Sequence, residues 1–146
     1  MPLSSYAYNG ATAALQPVLK DFGPVLVAID GRLGSGKTTL GRYLAWHFNI
    51  TLIETDLFLK VGKGFLYRQG ELQRVVAGRI GRGKPVLVEG AAMGWLLPKL
   101  GYDFDFSLYV HNTGPASRDN AHEHIESYES ACQPLQRANF VVELSH

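Results

Sequence analysis

The chain reads as an α/β protein with helices on both faces of a mostly parallel, five-stranded sheet. Three observations predict this. Short apolar runs rich in β-formers alternate with amphipathic helical stretches, and that alternation produces parallel strands joined by crossover helices. An early apolar run breaks into a glycine-rich turn that opens a helix. The 146 residues are 46% hydrophobic, enough for one domain with a real core, so residues 1–146 are read as a single domain.

"NGATAALQPVLKD" (9–21) spaces Leu15, Val18 and Leu19 as a short helix, with Pro17 a kink or late start. "PVLVAID" (24–30) is apolar without alternation, as a strand covered on both faces is. "KTTLGRYLAWHF" (37–48) sets Leu40, Tyr43, Leu44 and His47 or Phe48 on one helical stripe. "ITLIETD" (50–56) and "PVLVEG" (85–90) repeat the strand pattern. Between them, "YRQGELQRVVAGRIGRG" (67–83) carries Leu72, Val75, Val76, Arg79 and Ile80 at helical spacing, then glycines that end a helix. Trp46, Trp95, Leu96 and Leu97 read as core or helix-packing residues. "FDFSLYVH" (104–111) is a fourth strand, 116–132 a last helix and "ANFVVELS" (138–145) a fifth strand. Cys132, the single cysteine, is expected to be a buried helical thiol, with no disulfide and no cysteine-rich metal site.

Charge narrows the partners. A net charge of +1 without a Lys/Arg cluster argues against nucleic acid, whose backbone demands several clustered cations. No run approaches the ~18 apolar residues that span a membrane, and "MPLSSYAYNG" lacks the regions of a signal peptide. The expectation is a cytoplasmic protein with a compact anionic ligand.

Gly31, Gly36, Lys37 and Thr38 satisfy G-x-x-x-x-G-K-[ST] between a strand and a helix, the arrangement of a phosphate-binding loop. Gly31, Gly34 and Gly36 let backbone amides turn inward around a phosphate, and the helix N-terminus favours the anion. Lys37 offers a cation to the β and γ phosphates, and the Thr38 hydroxyl can ligate Mg²⁺. Arg32, Leu33 and Ser35 complete the cradle, Ser35 through its amide, and Thr39 opens the helix beside it.

The loop alone does not choose among GTPases, motors and kinases; carboxylates do. Asp56 closes "TLIETD" and Glu89 closes "VLVEG", both at the carboxyl edge of the sheet, where ligands of open α/β folds bind. A carboxylate there can hold Mg²⁺ or take the proton of an acceptor hydroxyl. Glu54, two residues before Asp56, competes for that role, and Asp30 is expected to brace the loop. In "LKVGKGFLYRQG" (59–70), Lys60, Lys63 and Arg68 interleave with Phe65 and Tyr67, which suits either an anionic acceptor or a solvated loop. His122 and His124 lie two apart on a helix and point to different sides, so no metal site is expected there. His111 ends a strand near the phosphate edge.

"IDGRLGSGKTTLGRYLA", "TDLFL", "VLVEGAAM" and "FSLYVH" resemble successive blocks of the uridine kinase-like group of P-loop kinases, which shares the nucleoside monophosphate kinase fold. The resemblance covers roughly residues 24–111, with a weaker echo in "YESACQPLQRANFVVE". It implies a three-layer P-loop NTPase fold with strand order 2-3-1-4-5, and ATP and Mg²⁺ as cofactors. Asp56 would be the base near the acceptor hydroxyl, with Glu89 near the metal. The chain departs from the group in two places. Only 32 residues separate Asp56 from Glu89, too few for the group's substrate-binding insertion. The segment after the fourth strand, "NTGPASRDNAHEH", holds one arginine, Arg118, where the group has an arginine-rich lid. No N-K-x-D guanine-reading segment is present. The expected function is a small kinase moving the γ-phosphoryl group of ATP to a hydroxyl of a small molecule, with Lys37, Asp56 and Arg118 catalytic and Thr38, Glu89 and Asp56 at the metal. The alternative is a nucleotide-binding regulatory module that transfers little.

Overall fold

The strands β1 (Leu26–Gly31), β2 (Thr51–Glu54), β3 (Val86–Glu89), β4 (Phe106–Asn112) and β5 (Phe140–Leu144) pair in parallel throughout, in the order β2-β3-β1-β4-β5. The computed structural model describes residues 5–60, 62, 66–114 and 123–145. Around the sheet lie α1 (Ser5–Leu19), α2 (Lys37–Phe48), α3 (Gln69–Gly81), α4 (Met93–Lys99), α5 (Glu123–Cys132) and α6 (Pro134–Arg137), with a 3-10 turn at Thr55–Phe58.

All six residues of β1 are buried, because it is central and both its faces are covered. Val27 and Ile29 pack with Leu15 of α1 and Leu40 and Leu44 of α2, while Leu26 and Ala28 pack with Leu72 and Val76 of α3 and Leu97 of α4. Each fully buried Leu, Ile or Val contributes about 1.5–3 kcal/mol relative to exposure. The apolar run 24–30 is therefore the shared floor of two half-cores.

Several elements differ from the reading of the sequence. Helix α1 begins at Ser5 and carries Pro17 in its last turn, where a missing N–H costs one bond just before the helix ends. Strand β2 stops at Glu54, and the chain turns sharply into the 3-10 element that carries Asp56. On α2, Phe48 rather than His47 packs against the core. Trp46 is not a core residue: it is 76% exposed, lying about 200° around the helix from Leu44, and its ring meets Tyr43 and His47 of its own helix. Val75 is 42% exposed, at the edge of the stripe set by Leu72 and Val76. Cys132 ends α5 and is half-buried rather than enclosed. Leu96 and Leu97 are buried as expected, on a helix, α4, that the pattern did not delimit. The predicted last helix is seen from Glu123 onward; its start at 116 falls outside the described residues. No helix among the described residues is long and apolar enough to cross a membrane.

Candidate active site

Strand β1 delivers the chain to the glycine loop, and α2 begins at Lys37. Gly34 and Gly36 stand at φ 72° and 104°, a region that side chains with a Cβ rarely adopt. The loop thus curls back over the N-terminus of α2. Lys37 is buried, and its Nζ donates to the Arg32 carbonyl at 2.8 Å. Burial pulls the Lys37 ammonium below its ordinary 10.5, while the Glu89, Asp56 and Asp30 carboxylates work in the opposite sense. The cation is therefore held in a low-dielectric pocket ringed by acids.

Thr38, one residue on, donates its hydroxyl to Glu89 Oε1 at 2.8 Å. Glu89 is 1% exposed, and its Oε2 has no partner. Burial pushes the Glu89 carboxyl above its ordinary 4.5, against the pull of the Thr38 hydrogen bond and of Lys37. An orphaned buried carboxylate oxygen costs a few kcal/mol. With the Thr38 hydroxyl it offers hard oxygen atoms of the kind that a divalent cation such as Mg²⁺ takes.

The parallel register places Glu54 beside Glu89. One turn along α2 from Thr38, Arg42 takes Glu54 in an ion pair of 2.9 Å, so the two residues of α2 each hold one glutamate. Glu54 is thereby occupied. Asp56 is exposed on the 3-10 turn and lies close enough to Lys37 and Glu89 to act on both electrostatically. The turn is docked by buried Thr55, whose hydroxyl donates to the Glu89 carbonyl at 3.0 Å.

Asp30 braces the loop as expected: it is buried and accepts the Gly31 amide at 2.8 Å and the Tyr128 hydroxyl. Its carboxyl is pushed up by burial. The Arg32 side chain turns to Glu129 on α5, making two parallel bonds of 2.9 and 2.7 Å. Ser35 is buried; its amide donates to the Arg32 carbonyl at 3.2 Å and its carbonyl accepts the Asn112 side chain at 3.2 Å. Leu33 is half-buried and Thr39 exposed.

The basic stretch after Asp56 lies partly within the described residues. Arg68 does not point outward as a free cation: it donates to the Leu57 carbonyl at 2.7 Å, pairs with Glu71 at 2.8 Å and lies over the Phe58 ring. Tyr67 is buried rather than interleaved on a surface. Lys60 is exposed, and Lys63 and Phe65 fall outside the described residues, as do Arg118 and His122. His111 turns to Glu143 at 3.0 Å.

No family model matches the chain, and no curated protein matches it in sequence. Solved structures do. A possible uridine kinase from Bacillus stearothermophilus superposes with a TM-score of 0.61 at 16% identity, covering 90% of this chain and 98% of that one. Shikimate kinases from Acinetobacter baumannii, in complex with shikimate, and from Aquifex aeolicus each give a TM-score of 0.53. Their identities are 18% and 14%, with coverage of 87% and 82% of this chain and 88% and 85% of theirs. The chain has the fold of the P-loop kinases. Within it, the P-loop after β1 faces Glu89 of β3, with Asp56 beyond. Sequence reading missed the residues that hold the P-loop from behind: Tyr109, Asn112, Tyr128 and Glu129. Asn112, Tyr128 and Glu129 reach the loop across more than seventy residues, and Tyr109 acts only through Glu129, so no local spacing marks them.

Proposed function

We propose that this protein is an ATP-dependent kinase that transfers the γ-phosphoryl group to a hydroxyl of a small molecule. The observation that carries the proposal is the cluster of Lys37, Thr38 and Glu89, with its orphaned buried oxygen, beside Asp56. The P-loop amides and Lys37 bind the phosphates. Thr38 and Glu89, with Asp56 at the rim, would hold Mg²⁺, which when bound neutralises charge on the β and γ phosphates. Asp56, exposed at the open edge, orients the acceptor hydroxyl and takes its proton as that oxygen bonds to the γ-phosphorus and the β–γ bridging bond breaks, releasing ADP. Arg118 is assigned to the transferring phosphate as the single arginine of its segment. The site would belong to a cytoplasmic enzyme of metabolites, not of nucleic acid or membrane.

The test is a phosphorylation screen with ATP and Mg²⁺ over nucleosides, sugars and cyclic polyols, uridine and shikimate included, since structures of kinases named for them share the fold. A consumed acceptor whose turnover Asp56→Asn abolishes, with ATP binding retained, supports the proposal. ATP binding without any consumed acceptor favours the second reading, a nucleotide-binding regulatory module, which the arginine-poor segment at 112–124 also supports. Absence of nucleotide binding rejects both.

A further inference from the structure

We infer that Tyr128 and Glu129, neighbours on α5, are positioning residues that clasp the P-loop on both sides of Gly31 and so set where Lys37 stands. The inference rests on the nucleotide-binding reading above. Tyr128 donates its hydroxyl to Asp30, whose other oxygen accepts the Gly31 amide, and the same hydroxyl accepts the Gly94 amide at 3.0 Å. Glu129 holds the Arg32 guanidinium by two bonds and accepts the Tyr109 hydroxyl at 3.2 Å. The residues before and after the first glycine of the loop are thus fastened to one helix.

The Arg32 arm reaches the chemistry through its own backbone. The Arg32 carbonyl accepts both Lys37 Nζ at 2.8 Å and the Ser35 amide at 3.2 Å, so displacing Arg32 moves the perch of the cation and the turn that follows. The energetics point the same way. The pair lines a cavity of about 350 Å³, with the Arg32 and Glu129 side chains 34% and 25% exposed, and pairs open to water add little to global stability. A two-pronged guanidinium–carboxylate contact instead fixes orientation. Its effect should fall on nucleotide binding more than on folding.

The experiment is a double-mutant cycle on the full chain, read as ADP dissociation constants by calorimetry beside thermal midpoints without nucleotide. Arg32→Gln and Glu129→Gln are each expected to weaken ADP about tenfold. The double variant should be no weaker than either single one, and midpoints without nucleotide should shift by only a few degrees. Tyr128→Phe tests the other arm and is expected to weaken ADP as well. Should Arg32→Gln fail to fold, Arg32→Lys replaces it, keeping the charge while losing the two-pronged geometry, with the same weakening expected. Single variants within twofold of wild type, losses that multiply in the double variant, or losses that merely track a collapsed midpoint overturn the clasp. If the wild-type protein binds ADP and the variants bind it equally, the clasp alone falls; if the wild type binds none, the proposed function falls and takes the clasp with it.

Discussion

Lys37 shows how much of the site one residue carries. It is a buried cation whose pKa is lowered by desolvation and supported by the Glu89, Asp56 and Asp30 carboxylates, so removing it takes a cation from the proposed ligand and leaves buried acids uncompensated. Lys37→Met is expected to weaken ATP binding roughly tenfold to a hundredfold, about 1.4–2.7 kcal/mol, and to lower the thermal midpoint, since the buried Glu89 and Asp30 carboxylates lose their cation. Calorimetry and a melting curve on the same sample check both halves. Glu129 predicts a pH dependence. Its hydrogen bonds from Arg32 hold its carboxyl below the ordinary 4.5, so the folded state binds fewer protons than the unfolded chain. The stability it provides is complete above pH 4.5 and is lost as pH falls through the lowered folded value. Melting curves between pH 6 and pH 3 should show Glu129→Gln losing less stability than wild type. At this scale the sequence was legible where chemistry is local: the glycines, Lys37 and Thr38 follow from one motif. The difference between Glu54 and Asp56 was not, because the ion pair that occupies Glu54 comes from Arg42, twelve residues before it and on another element.

Elements were legible in proportion to their length and periodicity. Helix α2 and strand β1 follow from a clear stripe and an unbroken apolar run. Helix α4 was not delimited, since seven residues containing Gly94 and Pro98 carry little helical signal. The 3-10 turn escaped for a similar reason: "TLIETD" continues the strand pattern, and only the docking of Thr55 onto β3 bends the chain away. That docking yields a prediction. A Cβ added at Gly90 would lie 1.9 Å from Thr55 Oγ1, so Gly90→Ala must push the turn off the end of β3. The expected cost is about 1–3 kcal/mol, read by urea unfolding, together with loss of any transfer activity that depends on Asp56. Thr55→Ala in the same chain should recover part of the stability.

For the molecule as a whole, the parallel sheet follows from strands alternating with helices, and its order β2-β3-β1-β4-β5 is the one implied by the resemblance to the uridine kinase-like group. The acceptor does not follow, because low-identity kinases named for different small molecules share this fold. If nucleotide binds the folded chain alone, ADP at a hundredfold excess over its dissociation constant adds about 2.7 kcal/mol. That corresponds to a rise in midpoint of roughly 5–10 °C for a protein of this size, measurable by scanning calorimetry. Leu87→Ala, at 0% exposure in the sheet centre, should cost about 2–5 kcal/mol and bring the same nucleotide-bound protein to a visibly lower melting point. The two tryptophans divide their surroundings unequally. Trp46 stands in solvent, while Trp95 lies edge-on to Tyr128 with ring centroids 5.3 Å apart. Trp46→Phe would leave a single emitter seated against the helix that grips the P-loop, so the protein carries its own fluorescent gauge of whether that grip tightens when nucleotide arrives.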